Sequence, residues 1–144
     1  MAMPVRVVGL GGSLRAESTS RAALQVALDG AAASGAVTQL IWVRDLDLPL
    51  YTAEHAIPAA ARQFAETVYG ADAMIWSSPT YHGSVSGSLK NALDWLILLA
   101  ERTPPYLSNK PSVWCPPRAG CRACRPSTRW ISSPARCVGG ACRW

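Results

Sequence analysis

The sequence predicts an α/β fold, a doubly wound parallel sheet between two layers of helices. Short apolar runs at residues 5–10, 37–43 and 73–77 alternate with segments that carry helical apolar stripes. Two loops rich in serine and glycine, at residues 11–21 and 78–92, follow the first and third runs. Right-handed crossovers make such a sheet parallel, and ligands bind at the carboxyl ends of its strands. Both loops are therefore expected at the binding edge.

The first strand and helix are indicated by composition and spacing. Residues 5–10 form an apolar run that ends in glycines, which is typical of a buried strand. Ser18 to Ser20 offer N-caps to a helix that extends to about residue 33. Leu24 and Leu28 lie four residues apart and give this helix an apolar face. Gly35 suits its C-terminus.

The remaining elements follow the same alternation. Residues 37–43 predict the second strand and residues 44–57 a loop, after which Pro58 is expected at the first position of a helix. Gly70 closes that helix and residues 73–77 form the third strand. A long helix is predicted over residues 87–100, with the inner face Leu89, Leu93, Leu96, Ile97 and Ala100.

Bulk composition favours one ordinary domain with an unusual C-terminal segment. The chain has 144 residues and a net charge of +5. Residues 1–112 carry eight basic and nine acidic side chains, whereas residues 113–144 carry six Arg, all five Cys and no acid. The basic balance therefore belongs to the tail and argues against a nucleic-acid partner for the domain. The sequence contains no apolar run long enough to predict a membrane span or a secretory signal, so a cytoplasmic protein is expected.

The first loop, GGSLRAESTSR at residues 11–21, can surround a phosphate. Gly11 and Gly12 permit close backbone approach, and the following helix offers free N–H groups at its N-terminus. A charge-assisted fork comes from Arg15, and Arg21 either adds to it or lies on the solvated helix face. The hydroxyls come from Ser13, Ser18 and Ser20. A glycine turn followed by a serine N-cap is an equally good interpretation of the same residues.

The second loop, SPTYHGSVSGSLKNA at residues 78–92, suits a planar ring system. Aromatic rings there can stack on a flavin, and loop N–H groups can donate to its polar edge and tune its potential. The candidate residues are Pro79, Thr80, Tyr81, His82, Gly83 and Ser84. Alternatively, His82 is a surface histidine and Tyr81 a packing aromatic. Lys90, Asn91 and Asp94 are interpreted at least as well as capping and surface groups.

Together, the motif GSLR-x2-S-x2-R and the segment SPTYHGSVSGSLKNALDWL resemble the NADPH-dependent FMN reductase family over residues 4–111. The resemblance implies a flavodoxin-like three-layer fold, bound FMN, NAD(P)H as hydride donor and a homodimer or homotetramer. The implied acceptor is a free flavin, a quinone, an azo dye, a metal ion or dioxygen. The resemblance also implies that the phosphate is held by Ser13, Arg15, Ser18 and Ser20, and that residues 79–84 lie along the ribityl chain and ring.

In this family no side chain needs to act as acid, base or nucleophile, so no catalytic residue and no metal ligand is predicted. The competing hypothesis is a flavodoxin-like electron carrier or flavin-binding protein without NAD(P)H activity. Oxidation of NAD(P)H by the FMN-loaded protein distinguishes the two.

Residues 113–144 depart from the family, which continues with further strands and a third cofactor loop. Cys121 and Cys124 form a C-x2-C pair, so one hypothesis is a zinc or nucleic-acid module. The favoured hypothesis is a frameshift near residues 111–113, because a shifted reading can encode an apolar strand end, a Gly-Gly loop and an amphipathic helix. The prediction is an incomplete domain over residues 1–112, lacking its last strands, with a disordered tail. The third strand would then be an exposed edge and the flavin site would lack a wall.

Overall fold

A parallel sheet forms the centre of the computed structural model, which describes residues 3–54 and 56–115. Its strands and helices alternate as the sequence predicts. In chain order they are β1 (Arg6–Gly11), α1 (Thr19–Ala33), β2 (Val37–Trp42), α2 (Val43–Leu46), α3 (Ala59–Tyr69), β3 (Ala73–Ser77), β4 (Thr80–Tyr81), β5 (Ser84–Val85), α4 (Gly87–Asp94), a 3₁₀ helix (Trp95–Leu99) and β6 (Ser112–Trp114).

The main sheet has the strand order β2-β1-β3-β6, and every pair in it is parallel. The doubly wound prediction is thereby confirmed. Strands β1 and β3 are neighbours, so the loops that leave their carboxyl ends lie side by side. The sheet does not stop at β3, because Met74 pairs with Ser112 and Trp76 with Trp114. Strand β6 therefore crosses the predicted boundary at residue 112 and covers the β3 edge that was expected to be exposed.

Helices cover both faces of the sheet. On one face α1 buries Leu24 and Leu28 against Val7, Ala73 and Ile75, as the four-residue spacing of the leucines predicts. On the other face α3, α4 and the 3₁₀ helix enclose the larger core, which includes Phe64, Val68, Met74, Leu89, Leu96 and Leu99. Each fully buried large side chain of this kind stabilises the fold by about 1.5–3 kcal/mol. The packed core thus holds the carboxyl ends of β1 and β3 in fixed positions.

The predicted long helix changes character after Asp94. It becomes 3₁₀ over Trp95–Leu99, with three residues per turn in place of 3.6. That tighter winding brings Leu96 and Leu99 to the core side and turns Ile97 outward, where it is 53% exposed. Ala100 is also exposed. The prediction that Ile97 and Ala100 belong to the inner face was therefore wrong.

Other element boundaries also differ from the sequence prediction, and β1 is Arg6–Gly11 where residues 5–10 were predicted. A single helical turn, α2, occupies residues 43–46, where a loop was expected. Pro58 is the N-cap of α3 and not its first helical residue. Its extended backbone, with a ψ of 149°, starts the helix one residue later. Within the part of the chain that the structure describes, no helix has both the length and the hydropathy of a membrane span. Cys121 and Cys124 lie outside those residues.

Candidate functional site

The two polar loops meet at Gly12, which follows β1. Its N–H donates to the Ser77 carbonyl oxygen at the end of β3, at 2.7 Å. A Cβ atom added at Gly12 would lie 2.7 Å from Leu89 Cβ and 2.9 Å from both Cβ and Oγ of Ser78. No real Cβ tolerates such distances, so only glycine permits this approach. The close approach predicted for Gly12 is thus directed at the second loop.

Three serines of the second loop, which we call the serine cluster, join it to the first. They are Ser78, Ser86 and Ser88. The Ser86 hydroxyl donates to the Gly12 carbonyl oxygen at 2.6 Å, and the Ser88 hydroxyl donates to the same oxygen at 2.8 Å. Ser86 also caps α4 by accepting from Leu89 N–H at 3.2 Å. The base of the second loop is therefore bonded to the backbone of the first.

The serine cluster is closed internally as well. The Ser86 N–H donates to Ser78 Oγ at 3.0 Å, and the two hydroxyls lie 2.8 Å apart. Both side chains are almost fully buried. A buried hydroxyl without a partner is costly, so mutual bonding is what lets these polar groups remain there. Sequence reasoning missed the cluster, although the density of serines around a buried strand end is a signal that could have indicated it.

The first loop is organised around Ser13, which is 3% exposed. Its Oγ accepts from the Arg15 N–H at 3.2 Å, and its carbonyl oxygen accepts from Trp42 Nε1 in a short contact. The Arg15 side chain itself is exposed. The Ser13 hydroxyl thus shapes the loop, while the guanidinium of Arg15 faces solvent.

Ser18 and Ser20 lie together at the start of α1, with their hydroxyl oxygens 2.7 Å apart. Ser18 is the N-cap, as predicted, but its side chain makes no capping bond. The first-turn N–H groups of α1 are therefore not occupied by the cap. N–H donors not taken by the cap, two hydroxyls and an arginine in the same loop sequence, Arg15, make up the kind of donor set that a phosphate requires. The residues present fit a phosphate group.

The tip of the second loop is a short hairpin with a two-residue turn, where the sequence predicted a loop. Strands β4 and β5 pair Thr80 with Val85 and Tyr81 with Ser84. His82 and Gly83 have φ values of 50° and 80°, as in the mirror-image turns that suit hairpins. The dipeptide His82-Gly83 between short polar strands was the available signal. A hairpin holds its N–H groups in fixed directions, which suits binding to a planar ring.

The six predicted residues of this tip are largely open to solvent. Pro79 is half-buried, and the other five are exposed, with Tyr81 at 54%. The hydrogen bonds described above join the loops through the base of the second loop and not through these six. Their exposed ring and backbone groups are available to a ligand above the sheet edge.

Three further polar residues of the second motif are structural. Lys90 and Asp94 form an exposed ion pair one helical turn apart. The Asn91 side chain donates to the Pro49 carbonyl oxygen at 2.9 Å and accepts from Tyr51 N–H at 2.8 Å. The interpretation as surface and capping groups therefore describes these residues better than cofactor contact does.

The first loop contains Arg15 and Arg21, and Arg44 lies over the ring of Trp42. The described residues contain two ion pairs, Lys90–Asp94 and Arg102–Glu66. Within residues 3–54 and 56–115, Arg15, Arg21 and Arg44 are thus not matched by a carboxylate. By contrast, Lys110 donates to the Val68 carbonyl oxygen at 3.0 Å, away from either loop. Burial lowers the pKa of Lys110 and Asp72 partly opposes this effect.

The fold and the paired loops define a flavodoxin-like α/β domain with two polar loops at the carboxyl edge of its sheet. The sequence matches the model of the NADPH-dependent FMN reductase family over residues 5–125, and the chain belongs to that family. Relatives include the NAD(P)H-dependent FMN reductase PA1204 of Pseudomonas aeruginosa, 37% identical over 78% of this chain and 60% of the relative. The NADPH:quinone oxidoreductase of Arabidopsis thaliana is 34% identical over 76% of this chain and 56% of the relative.

Solved structures show the same fold. The apo form of the NADH:FMN oxidoreductase EMOB superposes with a TM-score of 0.61 at 26% identity, covering 75% of this chain and 55% of that one. The flavoenzyme FerB of Paracoccus denitrificans gives 0.62 at 23% identity, covering 78% and 60%. The chain thus spans about 60% of the length of the curated relatives it matches.

Proposed function

We propose that this protein is an NAD(P)H-dependent oxidoreductase of the FMN reductase and quinone reductase type. The observation that carries the proposal is the junction at Gly12, where the first loop is hydrogen-bonded to the base of the second loop at the carboxyl edge of the sheet. Family membership and the relatives' names support the same activity. The acceptor we propose is a small oxidised molecule, a free flavin or a quinone.

We propose that the first loop holds the phosphate of FMN. Ser18 and Ser20 supply hydroxyls, α1 supplies first-turn N–H groups, and Arg15 supplies an exposed positive charge. The Ser13 hydroxyl adds to this set from its buried position beside Arg15 N. All four residues belong to the segment that leads into α1 and forms its first turn, where the helix dipole also favours an anion.

We propose that the hairpin tip lines the ribityl chain and ring, through Pro79, Thr80, Tyr81, His82, Gly83 and Ser84. Bound FMN supplies the hydride chemistry between NAD(P)H and the acceptor. The hairpin N–H groups would hold the polar edge of the bound ring, and the exposed Tyr81 and His82 would be available to contact it. No side chain here is assigned as acid, base or nucleophile, since positioning and electrostatics are what the protein contributes.

The proposal is tested by titrating the purified chain with FMN and then adding NADPH or NADH with a quinone. We expect a bound-flavin spectrum, quenching of tryptophan fluorescence and steady oxidation of the pyridine nucleotide. FMN binding without such oxidation would favour the electron-carrier hypothesis. A folded protein that ignores FMN would refute the proposal.

An Arg15→Gln variant tests the phosphate assignment. Loss of one charge-assisted hydrogen bond is worth roughly 1.5–3 kcal/mol, so FMN affinity should fall about 10–150-fold. Arg62→Gln is the matched control, because Arg62 is exposed on α3 and outside both loops. Equal losses in the two variants would show a general charge effect and contradict the assignment.

We further propose a homodimer or homotetramer in the cytoplasm, in keeping with the family resemblance. Light scattering coupled to size-exclusion chromatography measures the mass directly. A monomeric mass at micromolar concentration would overturn the assembly proposal.

We also propose that residues 113–144 are read out of frame from a point near residues 111–113, leaving residues 1–112 as the incomplete domain. The proposal is supported by the abrupt composition change, with six Arg and five Cys and no acid in that segment. Strand β6 pairs with β3 as far as Trp114. The given reading frame and the shifted frame both encode apolar residues at this strand. Resequencing the locus on both strands tests it, and an unaltered reading frame would refute it.

A further inference from the structure

Trp42 lies directly beneath the first loop. It is the last residue of β2 and pairs in register with Gly11 at the end of β1. Only 9% of its surface is exposed. Its Nε1 donates to the Ser13 carbonyl oxygen across a sequence separation of 29 residues. The indole thus fixes the backbone of the loop at Ser13, whose hydroxyl accepts from the Arg15 N–H.

Two guanidinium groups lie over the same indole. The Arg21 Cζ is 4.2 Å from the ring centroid and the Arg44 Cζ is 5.6 Å from it. Both distances are within the range of cation–π attraction. Neither guanidinium pairs with a carboxylate among residues 3–54 and 56–115. Trp42 therefore collects two uncompensated positive charges beside the loop as well as anchoring it.

We propose that Trp42 is a positioning residue that makes this site select a phosphate monoester. Through Nε1 it sets the loop conformation, and through its ring it holds Arg21 and Arg44 as a positive rim. A dianionic phosphate gains from both effects, whereas the uncharged hydroxyl of an unphosphorylated flavin gains from neither. The inference rests on the proposed function, because it deepens the account of the same flavin site.

The test compares dissociation constants for FMN and riboflavin in wild type and in Trp42→Phe. Phenylalanine keeps an aromatic ring but removes the N–H donor. We expect FMN affinity to fall about tenfold, as for loss of one buried hydrogen bond to a loop carbonyl, with riboflavin affinity changed less than twofold. The FMN-to-riboflavin ratio is the readout, because a general loss of structure would lower both affinities together.

Trp95→Phe is the matched control. Trp95 is also buried, and its Nε1 also donates to a backbone carbonyl, that of Pro49 at 3.0 Å. The ratio should remain at the wild-type value in this variant. A folded Trp42→Phe protein with an unchanged ratio would overturn the inference, as would an equal drop in Trp95→Phe.

The double variant Arg21→Gln/Arg44→Gln serves if Trp42→Phe does not fold, because both arginines are exposed. We expect the ratio to fall at least fivefold, and to fall less at high ionic strength. An unchanged ratio would overturn the inference. Wild-type protein that binds neither flavin would instead refute the proposed function, so the two failures are distinguishable.

Discussion

Gly12→Ala tests whether the two loops depend on close backbone contact. The added methyl would lie 2.7 Å from Leu89 Cβ and 2.9 Å from Ser78 Cβ. Both neighbours are fully buried and are held near the backbone, so neither can rotate away. Overpacking of this kind costs about 1–3 kcal/mol. Displacing Ser78 would also disturb its hydrogen bonds to Ser86.

The assay is thermal and urea unfolding followed by circular dichroism. At about 4 °C per kcal/mol, the midpoint of thermal unfolding should fall by about 4–12 °C. Gly30→Ala is the control, because nothing lies within 4 Å of its added methyl and the site is on the exposed face of α1. Alanine there should stabilise the protein by about 0.5–1 kcal/mol.

FMN affinity is the second measurement. Because the displaced atoms lie where the loops join, Gly12→Ala should weaken FMN binding, whereas Gly30→Ala should leave it unchanged. A Gly12→Ala protein as stable as wild type and with equal affinity would refute the reasoning that this junction builds the site.

Three further outcomes are expected. Ser86→Ala should cost about 1–3 kcal/mol in urea unfolding, because it removes the cap of α4 and a buried bond to the first loop, and Ser86→Thr should recover part of the loss. Asn91→Ala should speed amide exchange at Tyr51 without changing FMN affinity, since Asn91 holds only that segment; unchanged exchange would contradict this role. For Lys110, burial lowers the folded pKa below 10.5, so the unfolded chain binds more protons between the two values and stability should rise with pH there. Lys110→Met should flatten that rise, and an identical slope in both proteins would contradict it.

Much of the fold could be predicted from local patterns. The run at residues 73–77 was predicted to the residue, and the spacing of Leu24 and Leu28 identified the buried face of α1. Neighbouring residues in the chain carry these signals, so burial periodicity reveals them. The 3₁₀ helix escaped prediction because its winding is decided by how Leu96 and Leu99 pack and not by their spacing alone.

The candidate site divides in the same way. Sequence motifs identified both loops, and the phosphate and ring assignments stay predictions that the proposed experiments test. The motifs did not reveal that Trp42 and Ser86 belong to the site, because their bonds to the first loop span 29 and 74 residues. Such partners become neighbours only when the parallel sheet forms.

The sequence by itself thus determined which segments become strands, helices and polar loops, since hydrophobic periodicity and turn chemistry are local properties. The tertiary structure alone decided that Gly12 approaches Ser78 and Leu89, that buried serines join the loops, and that Trp42 bonds to the first loop. These features depend on distances between segments that are far apart in sequence and are brought together by core packing, so no local pattern indicates them.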